Sequence, residues 1–434
     1  MSKQDKKELR QQIACEWLEE NYLNYGSLRH DVVTDRLQIR VADLHSLEDG
    51  SAYCLEFRGK ENWRNLTDKD INTMVCQCVA EKGLNISTNE MWTALKSDMV
   101  PAVHPLRAWL DGLRPYTADQ PDWIDFVAQQ VKVKTSGEET KGDKARGEEL
   151  WRACFKKWFV AMVASWMKDE VVNHQVLVLI GRQGIYKTTW LEHLLPPHLR
   201  AYACKLANSS DLNKDERLRI AEFGLISLDE IDSMNNRELN QLKSVITASD
   251  VNERAAYAYT KERRVRLASF CASGNRRDFL TDITGNRRWL PFEVESIQNP
   301  FFTTLPYELM YAQAWALAQD PRFSYWFELE EIELLEQHNQ HFRDESNEEQ
   351  LLPILFDIPA EGKGEFLTTA QISERLVTYG NIKKPMALSR LGMLLGTAGF
   401  KATKRKIGNI QTRGWIVYQR DTDEISALRR ILKD

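Results

Sequence analysis

The stretch Gly181-Arg182-Gln183-Gly184-Ile185-Tyr186-Lys187-Thr188-Thr189 sets glycines, a lysine and adjacent hydroxyls between an apolar run, Val176 to Ile180, and a helical pattern. Those residue types at that spacing suit a phosphate cradle. Glycines let backbone N–H groups wrap an anion, a lysine reaches the β- and γ-phosphates, and a hydroxyl holds Mg²⁺. A helix that starts directly after the turn adds the positive end of its dipole. Lys187 and Thr188 stand at the required offsets from Gly181, and Gln183, Gly184, Ile185, Tyr186 and Thr189 complete the candidate ATP-binding loop. Tyr186 is a departure, since the strict pattern has a second glycine there. Gly184, two positions earlier, is the residue that could restore the lost flexibility.

A second apolar run, Leu225 to Leu228, ends in Asp229 and Glu230. In phosphate-loop ATPases the first such acid holds Mg²⁺ through water and the second polarises the attacking water. Asp229 takes the first role, with Thr188 as the other metal-site residue, and Glu230 takes the second. Asp232 reads as a helix N-cap. A third run ends at Ser273-Gly274-Asn275, where Asn275 either orients the lytic water or serves as a turn residue. Arg287 and Arg288 come just before a fourth run and are poorly placed to reach their own loop. They suit an arginine finger directed at a neighbour's γ-phosphate, which implies a ring of subunits. A surface salt-bridge pair is the alternative.

Two further stretches could meet nucleic acid. Arg254, Tyr257, Lys261, Arg263 and Arg264 alternate with small and aromatic residues, as in a projecting hairpin whose cations and rings suit single-stranded DNA. A solvated hairpin is the competing reading. Lys404, Arg405 and Lys406 fall within a run from 401 to 413 that has no acid. On a winged helix this run would lie against phosphates.

The elements that must position these groups follow from periodicity. Short continuous apolar runs at 176–180, 223–228, 265–271 and 288–294, interleaved with helical stretches, give a parallel α/β core. Ahead of it, Trp151, Phe155, Trp158, Phe159, Met162 and Trp166 share one broad helix face. Residues 132–149 are almost free of apolar side chains and read as a linker or loop. They separate an N-terminal α+β unit, 1–131, with a strand pair at Val32–Val33 and Leu37–Val41 and helices at 68–82 and 87–95. After a core spanning 150–298 comes a helical extension, 299–350. A basic unit, 351–434, then carries a helix pair at 368–379 and 385–398 and a hairpin from strands 400–406 and 414–419.

Composition narrows the classes. The 434 residues are 43% hydrophobic and 28% charged, which suits folded globular units rather than disorder. Residues 363–434 hold fourteen Lys/Arg against six Asp/Glu, so a net charge of −5 hides an acidic body and a basic tail. No apolar run is long enough to cross a membrane, and the charged start lacks a secretory pattern. Seven scattered cysteines suit reduced thiols. The expected location is therefore cytoplasmic. Cys76 with Cys78, and His338 with His341, lack the partners of a zinc site.

In this order, GRQGIYKTTW, LISLDEID, the Glu253–Tyr257 stretch, SFCASGN and FLTDITGNRRWLPFEV resemble the virulence-associated protein E family. That family belongs with the superfamily 3 helicase-like AAA+ ATPases of phages, plasmids and integrated mobile elements. The resemblance implies an α/β AAA+ P-loop ATPase core with a mainly helical N-terminal domain and a C-terminal winged-helix-like domain. It implies ATP and Mg²⁺ at the interfaces of a homo-oligomer, a hexameric ring, that acts on single- or double-stranded DNA. Lys187, Thr188, Asp229, Glu230 and Asn275 map onto the ATPase motifs, Arg287 or Arg288 onto the trans-acting arginine, and Lys261 to Arg264 onto the pore hairpin. Many relatives carry an upstream primase domain. Residues 1–131 show no primase-like acidic triad, so priming would come from a separate partner. An ATP-driven helicase or translocase in mobile-element replication leads the readings. An ATP-gated DNA-binding switch in regulation or anti-phage defence, without processive unwinding, is the alternative.

Overall fold

The computed structural model describes residues 2–40, 44–46, 53–55, 63–134, 141–206, 214–253, 262–280, 286–343, 345–360, 364–408 and 410–431. The chain is mixed α/β and divides into two compact units. One is Met1–Arg277 with Arg287–Asn339, the other Asp278–Asn286 with Gln340–Asp434.

Eight strands of the first unit bear on the site. They are β1 (Val131–Val133), β2 (Val176–Ile180), β3 (Ala203–Leu206), β4 (Leu225–Leu228), β5 (Asp250–Glu253), β6 (Glu262–Val265), β7 (Ser269–Gly274) and β8 (Trp289–Ile297). Six form one sheet in the order β1-β8-β2-β7-β4-β3, while β5 and β6 make a separate antiparallel pair. β8, β2, β7, β4 and β3 are parallel, and β1 joins β8 antiparallel. The central strands are buried on both faces, which is why they read as unbroken apolar runs. The two edge strands, β1 and β3, were not legible because they are short and partly polar.

Helix α1 (Lys141–Met167) lays its apolar face across this sheet and is about 40 Å long. Three of its tryptophans fix it in place. Trp151 Nε1 donates to the Ala128 carbonyl (2.9 Å), Trp158 Nε1 to Phe270 (3.1 Å) and Trp166 Nε1 to Gly224 (3.1 Å). Each buried indole thus satisfies its one donor while its ring fills the core. The helix starts at Lys141, so the later part of 132–149 is helical where a linker or loop was expected. Its lysines, glutamates and alanine are good helix formers, and the apolar face that follows extends the same helix. The expected boundary at 131 also runs through β1.

Residues 105–133 pack into the core under α1, with Leu106, Leu110, Ile124 and Val127 fully or almost fully buried. A second cluster, including Trp17, Leu18, Ile71, Met74 and Met91, gathers the helices before them. Helices Asp68–Lys82 and Thr88–Leu95 are capped by Thr67 and Ser87, each in a reciprocal capping box. The first expected strand is displaced: the pairing is Leu28–Asp31 with Arg36–Arg40, and Val32 and Val33 lie in the turn. Asp31 causes this, because its carboxylate accepts from the N–H groups of Val33 (2.9 Å) and Thr34 (3.4 Å) and bends the chain there.

The second unit has helices Asn347–Leu355, Thr369–Gly380 and Leu388–Thr397 and strands Glu365–Leu367, Lys401–Ile407 and Ile410–Gln419. Leu352, Ile372, Leu376, Leu391, Leu395, Trp415 and Val417 form its core. The hairpin closes tightly at Gly408, whose φ is 61°. Lys404, Arg405 and Lys406 lie in the strand expected of them, while the second strand starts at Ile410 rather than at 414, so Arg413 sits in the ladder and not in the turn.

Arg266, between β6 and β7, is 1% exposed. Its guanidinium donates to the carbonyls of Asn173 (2.9 Å), Ala268 (3.1 Å), Ala248 (3.3 Å) and Ile246, and burial pushes its pKa down to about 9. Arg266→Met leaves these carbonyls without their donor. It should lower the unfolding free energy by about 2–4 kcal/mol, read by urea denaturation.

Candidate active site

Strands β2, β7 and β4 lie side by side and end at the same edge of the sheet. In parallel sheets, the crevice beyond the strand ends at a change of strand order is where ligands bind. A cleft of about 300 Å³ opens there, lined by Gln183, Gly184, Tyr186, Lys187, Thr188, Thr189, Asp229, Glu230, Ser273, Gly274 and Asn275. Loop residues come from the end of β2, the acids from the end of β4, and Ser273 and Asn275 from the end of β7.

The loop's backbone explains its glycines. A Cβ on Gly181 would sit 2.8 Å from the Val294 carbonyl oxygen, and Gly184 has φ 84°. Ile185 turns inward and packs against the core. Tyr186 has φ 68° and ψ 18°, the left-handed conformation that a glycine at this position would adopt freely. Helix α2 (Lys187–Glu192) follows directly. A left-handed backbone costs an L-residue about 1–2 kcal/mol. The Tyr186 hydroxyl accepts from Asn299 Nδ2 (3.3 Å), and its ring meets Phe301 edge-on.

Lys187 is 7% exposed. Its ammonium donates to the carbonyls of Gly181 (2.7 Å) and Arg182 (2.8 Å) and to Asn275 Oδ1 (3.2 Å). None of the described carboxylates forms an ion pair with it. Burial lowers its pKa, and Asp232 and Asp229 oppose that shift from a distance. A desolvated cation with only neutral acceptors is suited to an incoming anion.

Beside it, Thr188, Ser273 and Asp229 form a compact set of oxygens. Ser273 Oγ donates to Asp229 Oδ1 (2.7 Å), Thr188 Oγ1 donates to the same oxygen (3.2 Å), and the two hydroxyls are 2.9 Å apart. Lys205 Nζ, from β3, lies 2.8 Å from Asp229 Oδ2. Burial would push the Asp229 pKa up, but the bonds from Lys205, Ser273 and Thr188 outweigh it and hold the carboxyl below its ordinary range. Hard oxygen donors of this kind fit Mg²⁺. Glu230 is exposed toward the cleft with φ 52°, and its carbonyl accepts from Ser233 Oγ (2.7 Å). A non-glycine residue held in that region marks a place where geometry is imposed by the surroundings.

Residues 140–346 match the virulence-associated protein E-like domain family. The span is similar to that family's VapE-like domain. No curated protein matches the chain. Among solved structures, the apo structure of the NrS-1 C-terminal region (residues 305–718) is similar at 12% identity and a TM-score of 0.44, covering 91% of this chain and 97% of that one. An A-form apo structure of the same region gives 12% identity and 0.44, covering 92% and 98%.

All the cleft residues lie within the VapE-like domain. Three residues of the site have places there that the sequence did not show. Lys205 sits on a strand that was not legible. Ser273 passed as part of a small-residue run. Asp232 is not the expected N-cap: Asn235 caps helix α3 (Asn236–Thr247). Asp232 instead accepts from the backbone N–H groups of Asn275 (3.1 Å) and Arg276 (3.2 Å), which fixes the Asn275 loop.

Arg287 and Arg288 are brought elsewhere. They precede Trp289, which pairs with Val176 at the start of β2, roughly 13 Å of strand away from the loop at its other end. Arg287 is exposed, Arg288 is half-buried, and among the described residues neither forms an ion pair. Burial, then Arg287 beside it, lowers the Arg288 pKa.

The β5–β6 pair is the expected hairpin. Arg254, Tyr257 and Lys261 lie outside the described residues, as does the Arg263 side chain. Arg264 corrects the expectation. Its guanidinium is at the hairpin's base, mostly buried, and paired with Asp35 (2.7 Å) and Glu222 (3.4 Å), so it is committed within the fold. In the second unit Lys404, Arg405 and Lys406 are exposed. Lys404 lies opposite Arg413 in the ladder, while Arg405 turns to the other face, over the Phe366 ring at 5.3 Å. Like charges directly opposite each other destabilise a ladder until an anion lies between them.

Tyr186 allows a direct test of the loop. Tyr186→Gly should leave unfolding free energy within about 0.5 kcal/mol, because relief of the left-handed backbone offsets glycine's entropy. Tyr186→Val, β-branched at the same φ, should lower it by about 1–2 kcal/mol. Equal effects of the two substitutions in chemical denaturation would show that this φ imposes no constraint.

Proposed function

We propose that the VapE-like domain is an AAA+ P-loop ATPase that drives a DNA helicase or translocase in the replication of a phage, plasmid or mobile element. The observation that carries this reading is the meeting of Lys187, Thr188, Asp229, Glu230 and Asn275 in one cleft at the ends of three adjacent parallel strands. Lys187, already stripped of water and held by neutral acceptors, binds the β- and γ-phosphates of ATP. Thr188 Oγ1 and Asp229 hold Mg²⁺, which supplies charge neutralisation on those phosphates. Glu230 polarises the attacking water, and Asn275, beside Lys187, orients it. Asp232 keeps Asn275 in place.

Arg287 and Arg288, without an ion pair among the described residues and at the far end of the strands, serve a neighbouring subunit's γ-phosphate in a ring, a hexamer by family resemblance. The hairpin's cations and the strand Lys401–Ile407, in a winged-helix-like unit, take DNA phosphates. No helix among the described residues is long and apolar enough to cross a membrane. The second reading, an ATP-gated DNA-binding switch, is favoured by Tyr186, because a strained loop suits slow turnover.

ATP hydrolysis with and without single-stranded DNA separates the two. Stimulation by DNA supports the motor, and DNA-indifferent turnover supports the switch. Lys187→Ala should remove nucleotide binding and Glu230→Gln should retain bound ATP. The Arg287→Ala/Arg288→Ala protein should lose roughly a thousandfold in turnover. It should regain activity when mixed with Lys187→Ala protein. Mixtures inactive at every ratio would sink the shared-site arrangement. Lys404→Glu with Lys406→Glu should weaken DNA binding and reduce its salt slope by about one to two, read by fluorescence anisotropy at several salt concentrations.

A further inference from the structure

Lys205 projects from the edge strand β3 onto the carboxylate assigned to the metal. Its ammonium is 2.8 Å from Asp229 Oδ2, while Oδ1 receives Ser273 and Thr188. Both oxygens therefore already carry donors, one of them a full positive charge. The same ammonium is 4.0 Å from Glu192, the last residue of α2, which offers a second berth on the cleft's rim. The Lys205 and Asp229 side chains are 46% and 30% exposed, so the pair is weak enough to exchange.

We propose that Lys205 is a built-in stand-in for the divalent cation. It neutralises Asp229 before nucleotide binds and is displaced toward Glu192 when Mg²⁺ enters with ATP. Lys205 thereby sets the Mg²⁺ concentration at which the site loads. It is a positioning residue, acting through Asp229, and the inference rests on the nucleotide reading above. No bond is made or broken in the exchange. One cation replaces another on the same carboxylate, and the displaced ammonium keeps its proton and finds a carboxylate of its own. Without Lys205, Asp229 would keep only the neutral hydroxyl donors Ser273 and Thr188 and would draw in a divalent cation more readily.

The test uses the full chain and a fluorescent, slowly hydrolysed ATP analogue, with Mg²⁺ titrated from an EDTA baseline measured for each variant. Lys205→Met should reach half-saturation at roughly two- to fivefold lower Mg²⁺ than the wild type, matching the strength of a half-exposed ion pair. Lys205→Arg, which keeps the charge, should stay near the wild type, and Glu192→Gln should need more Mg²⁺. A Lys205→Met half-point equal to or above the wild type overturns the role given to Lys205. Wild-type protein with no Mg²⁺-dependent binding overturns the nucleotide reading itself, and with it this inference. Thermal denaturation of each variant separates a shifted Mg²⁺ requirement from a loss of folded protein.

Discussion

The arrangement turns on keeping one ammonium out of water without giving it a carboxylate. Lys187 is almost wholly buried, and two of its three acceptors are carbonyls of its own loop. To present those carbonyls the chain must curl back on itself within six residues. That forces Gly181 against the Val294 carbonyl and puts Gly184 and Tyr186 at positive φ. The third acceptor, Asn275, comes from a different strand, so the loop is right only when β2 and β7 are in register. Burial of a cation with neutral acceptors is unfavourable by itself, and the sheet and α1 must hold the loop against that cost. The three indole bonds of α1 belong to this support. They tie the helix to Phe270 on β7, to Gly224 just before β4 and to Ala128 before β1.

The sheet also separates the cationic groups by role. Lys187 lies at the C-terminal ends of the strands, and Arg287 and Arg288 lie at the other end, before Trp289. A rigid stack of five parallel strands keeps the two sets apart within the chain. Arg264, which the sequence grouped with the exposed cations, joins neither set. It pairs with Asp35 and Glu222 and holds the hairpin's base to the N-terminal elements.

Much of the site was legible because its chemistry is local in sequence: glycines, lysine and threonine in one loop, and two acids closing one apolar run. What could not be read depends on neighbours distant in the chain. Lys205 matters only because β3 pairs with β4, which brings it to Asp229. Asp232 looks like a cap until β7 delivers the Asn275 and Arg276 N–H groups to it. Val32 and Val33 have the composition of a strand, but Asp31 claims their backbone for a turn. In the second unit the helix pair follows its periodicity closely. The hairpin's first strand falls where it was expected, but the second begins at Ile410 rather than 414, because nothing in the composition of 407–413 marks Gly408 as the turning point.

The place of β1 has a practical consequence. The stretch that matches the VapE-like family starts at residue 140, yet Val131–Val133 pairs with β8, and Leu106, Leu110, Ile124 and Val127 are part of the same core. A fragment trimmed to the family boundary would uncover the backbone of Val294–Ile297 along one side and strip the apolar floor from beneath α1. Such a fragment would carry the entire cleft and still have an open, self-complementary edge prone to pairing with copies of itself. The evolutionary unit and the folding unit end at different residues, and the folding unit is the longer of the two.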